Sequence, residues 1–100
     1  MVQIEKFTKA LSDKNRIKIF DLLIKEPLKV SDVAYELEIE ENLASHHLRV
    51  MSRNGLLKSN KKGREVYYSI NRTKILGLMK TLLKKQYFKD LIKETQKSIK

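Results

Sequence analysis

The sequence predicts a mainly α-helical fold with a small β-hairpin: a winged helix-turn-helix of five helices and one wing. Three observations predict it. Apolar residues recur at helical spacing through the first half of the chain and again after residue 71. Between those stretches the period becomes that of strands, around a short basic turn that contains Gly63. With 3 Gly and 1 Pro among 100 residues, there is too little turn material for an all-β fold.

Each element has its own local cause. Val2, Ile4, Phe7, Ala10 and Leu11 form a helical stripe over residues 2–11. Ser12 and Asp13 each offer an oxygen to cap a second helix, which buries Ile17, Phe20, Leu23 and Ile24 and stops at Pro27. Residues 28–30 read as a short extended link. Ser31 is then the expected cap of a third helix through Val33, Ala34 and Leu37. Ile39 closes a turn, and a fourth helix runs from near Glu40 to Asn54-Gly55, where glycine accepts the left-handed conformation that ends helices. Two helices joined so closely make a helix-turn-helix. Residues 56–59 and 65–70 read as strands, with the basic tip Asn60-Lys61-Lys62-Gly63-Arg64 between them. After Asn71 one long fifth helix carries Ile75, Leu78, Met79, Leu82 and Leu83, with Leu91 and Ile92 beyond, and residues 94–100 read as a fraying end.

Composition excludes several functions. The chain has no Cys, which removes disulfides, thiolate zinc sites and thiol redox sensing. No apolar stretch approaches the roughly 20 residues of a membrane span. The opening MVQIEKFTKAL lacks a signal-peptide core, so a soluble cytoplasmic protein with no membrane partner is expected. The formal net charge of +10 is unevenly spread. Residues 1–50 hold 8 Lys/Arg and 9 Asp/Glu, whereas residues 51–100 hold 14 and 3. A strongly basic half beside a neutral one points to a polyanion partner.

The run Glu40-Glu41-Asn42-Leu43-Ala44-Ser45-His46-His47-Leu48-Arg49 carries the most information. A helix that enters the major groove needs an apolar inner face and short polar side chains near its N-terminus. Ala44, Leu48 and Met51 stand at i, i+4 and i+7 and supply the inner face, while Asn42, Ser45, His46 and Arg49 fall on the opposite arc. Asn pairs with adenine edges, and Ser and His bond base edges or phosphates. Leu43 suits a thymine methyl or the scaffold equally well. An ordinary amphipathic surface helix would show the same stripe; the basic hairpin that follows favours nucleic acid. Lys61, Lys62 and Arg64 at that hairpin can track the phosphate backbone.

His46-His47 does not make a metal pair, because adjacent helical residues point about 100° apart. His47 is expected to pack or cap, and His46 to face DNA. No Ser/His/Asp set, phosphate-cradling loop or carboxylate pair on a shared face is present, so an enzyme is not expected. The last helix is apolar on more than one side. Ile75, Leu78 and Leu82 form one stripe and Met79 and Leu83 another, enough for one to cover the domain and one to meet a second copy. The expected dimer contacts are Ile4, Phe7, Leu78, Met79, Leu82 and Leu83.

ALSDKNRIKIFDLL, followed by SDVAYELEIEENLASHHLRVMSRNGLLKSNKKGREVYYSI, resembles the ArsR/SmtB family of bacterial and archaeal repressors. The elements A-L-S-D with Arg16, S-H-H-L, N-G-L and G-R-x-V-Y-Y-S occur in the family's order over residues 10–70. The resemblance implies a winged-helix homodimer, with helices one and five at the interface, on a palindromic double-stranded DNA operator. It places Asn42, Ser45 and His46 at DNA and Arg64 at the wing. Lys29 and Ser31 stand where many metal-sensing members carry cysteines. Arg72, Lys74, Lys85 and Phe88 stand where others hold zinc, and three of these would repel a cation. Glu40 and Glu41 replace the usual Ser and Gln; acids there stabilise a helix N-terminus by about 0.3–1 kcal/mol each but repel phosphate.

The chain is therefore expected to be one domain, residues 1–100, acting as a homodimeric sequence-specific repressor without metal or other cofactor. Its inducer is open. Asn42, Leu43, Ser45, His46, Arg49, Lys61, Lys62 and Arg64 are the expected DNA contacts. The alternatives are a low-selectivity architectural DNA-binding protein, or an adaptor whose basic C-terminal helix docks on an acidic protein or membrane.

Overall fold

The computed structural model describes residues 4–98. Val2 and the side chain of Ile4, assigned above to the first helix and the dimer contacts, lie outside what is described. The elements are α1 (Ile4–Ala10), α2 (Lys14–Lys25), β1 (Leu28–Lys29), α3 (Val30–Leu37), α4 (Glu41–Arg53), β2 (Leu57–Lys62), β3 (Glu65–Ile70), α5 (Arg72–Leu83) and α6 (Gln86–Ser98). The three strands form one antiparallel sheet in the order β1-β3-β2.

Of the two candidate caps, Asp13 is the one that starts α2. Its Oδ1 accepts from the backbone N–H of Asn15 at 2.7 Å and of Arg16 at 3.2 Å, whereas Ser12 Oγ donates back to the Lys9 carbonyl. The buried side of α2 is narrower than expected. Ile19 and Leu23 are buried, while Ile17 and Ile24 are about half exposed. The helix ends at Lys25, two residues before Pro27, with Glu26 extended at its C-cap.

The expected link at 28–30 is a strand. Leu28 pairs with Tyr68 and Lys29 with Tyr67, so β1 adds a third strand to the hairpin. The third helix also starts earlier than Ser31. Val30 is its first residue, the N-cap Lys29 makes no side-chain capping bond, and Asp32 at N3 reaches back instead, its Oδ2 accepting from the Lys29 backbone N–H at 3.2 Å. Ser31 lies exposed inside the first turn.

Helix α3 ends in a left-handed residue, Glu38 at φ 56°. The Glu38 and Ile39 N–H groups donate to the carbonyls of Tyr35 and Ala34 at 3.2 and 3.1 Å, which reverses the chain into α4. A side chain in this conformation costs about 1–2 kcal/mol that glycine does not incur. Glu38→Gly is therefore expected to stabilise the protein by about 1 kcal/mol, raising the unfolding temperature by about 4–8 °C. A thermal melt that moves down would show that the turn depends on the Glu side chain.

Helix α4 closes with Asn54 bonded to the Val50 carbonyl through both its backbone N–H and its Nδ2, and Gly55 at φ 81° turns the chain into β2. The hairpin is longer than the sequence suggested. Lys62 faces Glu65 in register, so Lys61 and Lys62 belong to β2 and only Gly63 and Arg64 make the turn. Gly63 at φ 62°, first of the two turn residues, matches a type II′ turn, whose twist suits the strands.

The expected single last helix is two, which makes six helices among the described residues instead of five. At the break the Lys84 and Lys85 N–H groups donate to Thr81 and Leu82, tightening the last turn, and Lys89 restarts the ladder on the Lys85 carbonyl. Lys80–Lys84 and Lys85–Lys89 are like charges at i, i+4, which oppose a continuous helix.

The core gathers Ile19 and Leu23 of α2, Val33 and Ala34 of α3, Ala44, Leu48 and Met51 of α4, and Leu56, Leu57 and Ile70 around the sheet. It fixes α4 with one face inward and the other in solvent.

Candidate nucleic-acid interface

Ala44, Leu48 and Met51 are wholly buried, and His47 joins them on the inner face at 5 % exposure. Asn42, His46 and Arg49 are exposed, with Glu40 and Glu41 ahead of them. Leu43 is 41 % exposed, so it is not wholly packed on the scaffold. Ser45 is half-buried, and its Oγ accepts from Arg49 Nη1 at 2.7 Å. The hydroxyl proton stays available to a third group, so Ser45 and Arg49 form a linked pair on the outer face.

His47 packs, as the spacing argument anticipated. Its Nδ1 lies 3.4 Å from Arg16 Nη1, and because a guanidinium only donates, neutral Nδ1 is the acceptor and Nε2 holds the proton. Burial holds the imidazole below its ordinary pKa; the Asp13 carboxylate opposes that shift, and Arg16 and His46 add to it. Arg16 Nε donates in turn to the Ala10 carbonyl at 2.6 Å. Burial pushes the Asp13 carboxyl up, but the backbone N–H groups of Arg16 and Asn15 outweigh it and hold the group below its ordinary value. Sequence reading noticed Arg16 through the family motif alone; helical spacing gives no sign of a bond reaching 31 residues along the chain.

On the wing, Lys61, Lys62 and Arg64 are all exposed. Lys62 Nζ sits 5.6 Å from the Tyr67 ring centroid, a cation–π contact that leaves the ammonium in solvent. The one acid of the hairpin, Glu65, is paired with Lys29 Nζ at 3.5 Å. Glu65, and then Tyr67, hold the Lys29 ammonium above its ordinary pKa. That pair went unread in the sequence because β1 itself did.

The expected dimer residues separate. Met79 and Leu83 are about half exposed, Phe7 and Leu82 are half-buried, and Leu78 is only 6 % exposed. Leu78 is therefore largely covered already in the single chain, unlike Met79 and Leu83. Phe7, Leu11, Phe20, Ile24, Leu76 and Met79 line an open apolar groove of about 470 Å³ between α1, α2 and α5. Half-exposed Ile24 and Leu76 belong to this face and were not anticipated there.

Arg72 Nη2 donates to the Ile24 carbonyl at 3.0 Å, closing the end of α2. Among the described residues no group of three His, Cys, Asp or Glu side chains is placed to hold a metal ion. None of the described helices is long and apolar enough to cross a membrane.

An outward recognition helix beside a cationic hairpin defines the chain as a winged helix-turn-helix of the transcriptional-regulator class. A family model described as a helix-turn-helix domain matches residues 11–60. The cadmium resistance transcriptional regulatory protein CadC of Listeria innocua is 43 % identical over 74 residues, which are 73 % of this chain and 62 % of that protein. Among solved structures, an ArsR-like transcriptional regulator from Rhodococcus superposes with a TM-score of 0.79 at 26 % identity, over 97 % of this chain and 92 % of its own. A homodimeric winged helix-turn-helix DNA-binding domain from Mycobacterium bovis, a possible ArsR-family regulator, gives 0.67 at 26 %, over 81 % and 80 %. The chain belongs to the ArsR/SmtB family. It spans less than two thirds of the length of the cadmium-resistance relative.

Proposed function

We propose that this chain is a cytoplasmic, homodimeric repressor that binds a palindromic double-stranded DNA operator without a metal. One observation carries the reading: the core buries one face of α4 and leaves Asn42, Leu43, Ser45, His46 and Arg49 facing solvent next to the cations of the wing. The α4 residues select bases, while Lys61, Lys62 and Arg64 hold phosphates and add affinity for any sequence. Residues 1–100 act as one DNA-binding domain, and the exposed side of α1 and α5, with Phe7, Met79 and Leu83, meets the second copy. The homodimeric M. bovis domain supports that assembly. Arg72, Lys74 and Lys85 at the places matching metal ligands support a repressor without metal.

The test is selection of bound fragments from random duplexes, followed by titration of the selected and a scrambled duplex. The double variant Ser45→Ala, His46→Ala is expected to weaken the selected duplex by about 1–3 kcal/mol for each base these side chains read, while sparing the scrambled one. Equal weakening on both would reduce these residues to phosphate holders, and the absence of any enriched sequence would favour the architectural reading.

A further inference from the structure

We propose that Arg16 is the positioning residue for the recognition helix and that His47 is its proton-labile acceptor, so that acid unseats α4 and releases duplex DNA. The proposal rests on the DNA-binding reading above. Arg16 bridges two elements: Nε donates to the carbonyl of Ala10, the last residue of α1, and Nη1 donates to His47 on the inner face of α4. Asp13 fixes the base of this bridge by capping the turn from which Arg16 projects. The outer face of α4 is thereby registered to α1 through one guanidinium.

The bond works in one protonation state only. Neutral His47 accepts at Nδ1; protonated, the same atom becomes a donor, and two cations face each other 3.4 Å apart where His47 is 5 % exposed. Asp13 in the α1–α2 turn favours protonation of the ring, while burial, Arg16 of α2 and His46 of α4 oppose it. Burial places its titration below the ordinary 6.5 in the seated protein. An unseated or unfolded chain therefore binds the proton more readily, and seating is lost as pH falls below about 6.5. The rings of the two histidines stand 5.8 Å apart, so the inner one also senses the outer.

Two measurements test this. The first is fluorescence anisotropy with a selected duplex at fixed salt, between about pH 7.5 and 5.5. Wild-type affinity is expected to fall, by up to about tenfold for each pH unit by which seating separates the two titrations of His47. His47→Asn, whose amide oxygen is bonded to Cγ as Nδ1 is and so can accept from Arg16 without titrating, should abolish the fall, while His46→Gln should keep it. A fall that persists in His47→Asn, or no fall in wild type, overturns the proposal. The second is ¹⁵N NMR of the intact protein without DNA, which needs no variant to fold. Expected are an unprotonated Nδ1 at neutral pH and α4 amide shifts that follow the His47 titration. A proton on Nδ1, or α4 amides that ignore the titration, overturns it. Failure to bind any duplex at any pH would sink the DNA-binding reading, and the NMR result would still judge the Arg16–His47 bond itself.

Discussion

Leu48→Ala is expected to destabilise the protein by about 3 kcal/mol, within the 2–5 kcal/mol range of buried Leu truncations. Leu48 is wholly buried in the middle of α4's inner face, with Ala44 and Met51 one turn to either side. Domains of this size hold only about 5–15 kcal/mol in total, so the loss is a large share. Because the same face fixes how the outer residues project, DNA affinity should drop with stability rather than after it. Thermal and denaturant unfolding at one protein concentration checks the first effect. A shift worth less than about 1 kcal/mol would mean that α4 is not held by this core.

The second large effect is electrostatic. Replacing Lys61, Lys62 and Arg64 together by Ala should leave the unfolding temperature unchanged, because all three are exposed. Each phosphate no longer neutralised lowers the slope of log affinity against log salt by about 0.9, so a dimer deprived of three cations per wing should flatten by about 5. The weakening should be equal for selected and scrambled duplexes. Glu65 strengthens this expectation, since its pairing with Lys29 keeps the only hairpin acid from neutralising the tip. An unchanged slope would take the wing off the DNA.

What the sequence made legible follows from the range of the forces involved. Helix spacing, the Asp13 cap, the Asn54-Gly55 stop and the β-branched run of β3 are local, and each found its place within a few residues. The opposite faces of α4 were also legible, because burial at i, i+4 and i+7 repeats along the helix. Strand β1 was not. Two residues carry no period, and only the distant Tyr67 and Tyr68 make Leu28 and Lys29 a strand. Ser31 misled for a related reason: once β1 ends at Lys29, the helix starts at once, and Asp32 of its first turn bonds back to the Lys29 N–H. The split between α5 and α6 has no Pro or Gly to announce it. The Arg16–His47 bond needed the fold itself, since it ties residues that no repeat connects.

The central claim is that two copies present their α4 outer faces to successive major-groove segments of one duplex. Hydroxyl-radical footprinting on a selected duplex tests it most directly. The account predicts two protected half-sites related by a two-fold axis, with centres about 34–36 Å apart or a multiple of one helical turn. A single unpaired footprint, or none in dilute salt, would contradict it.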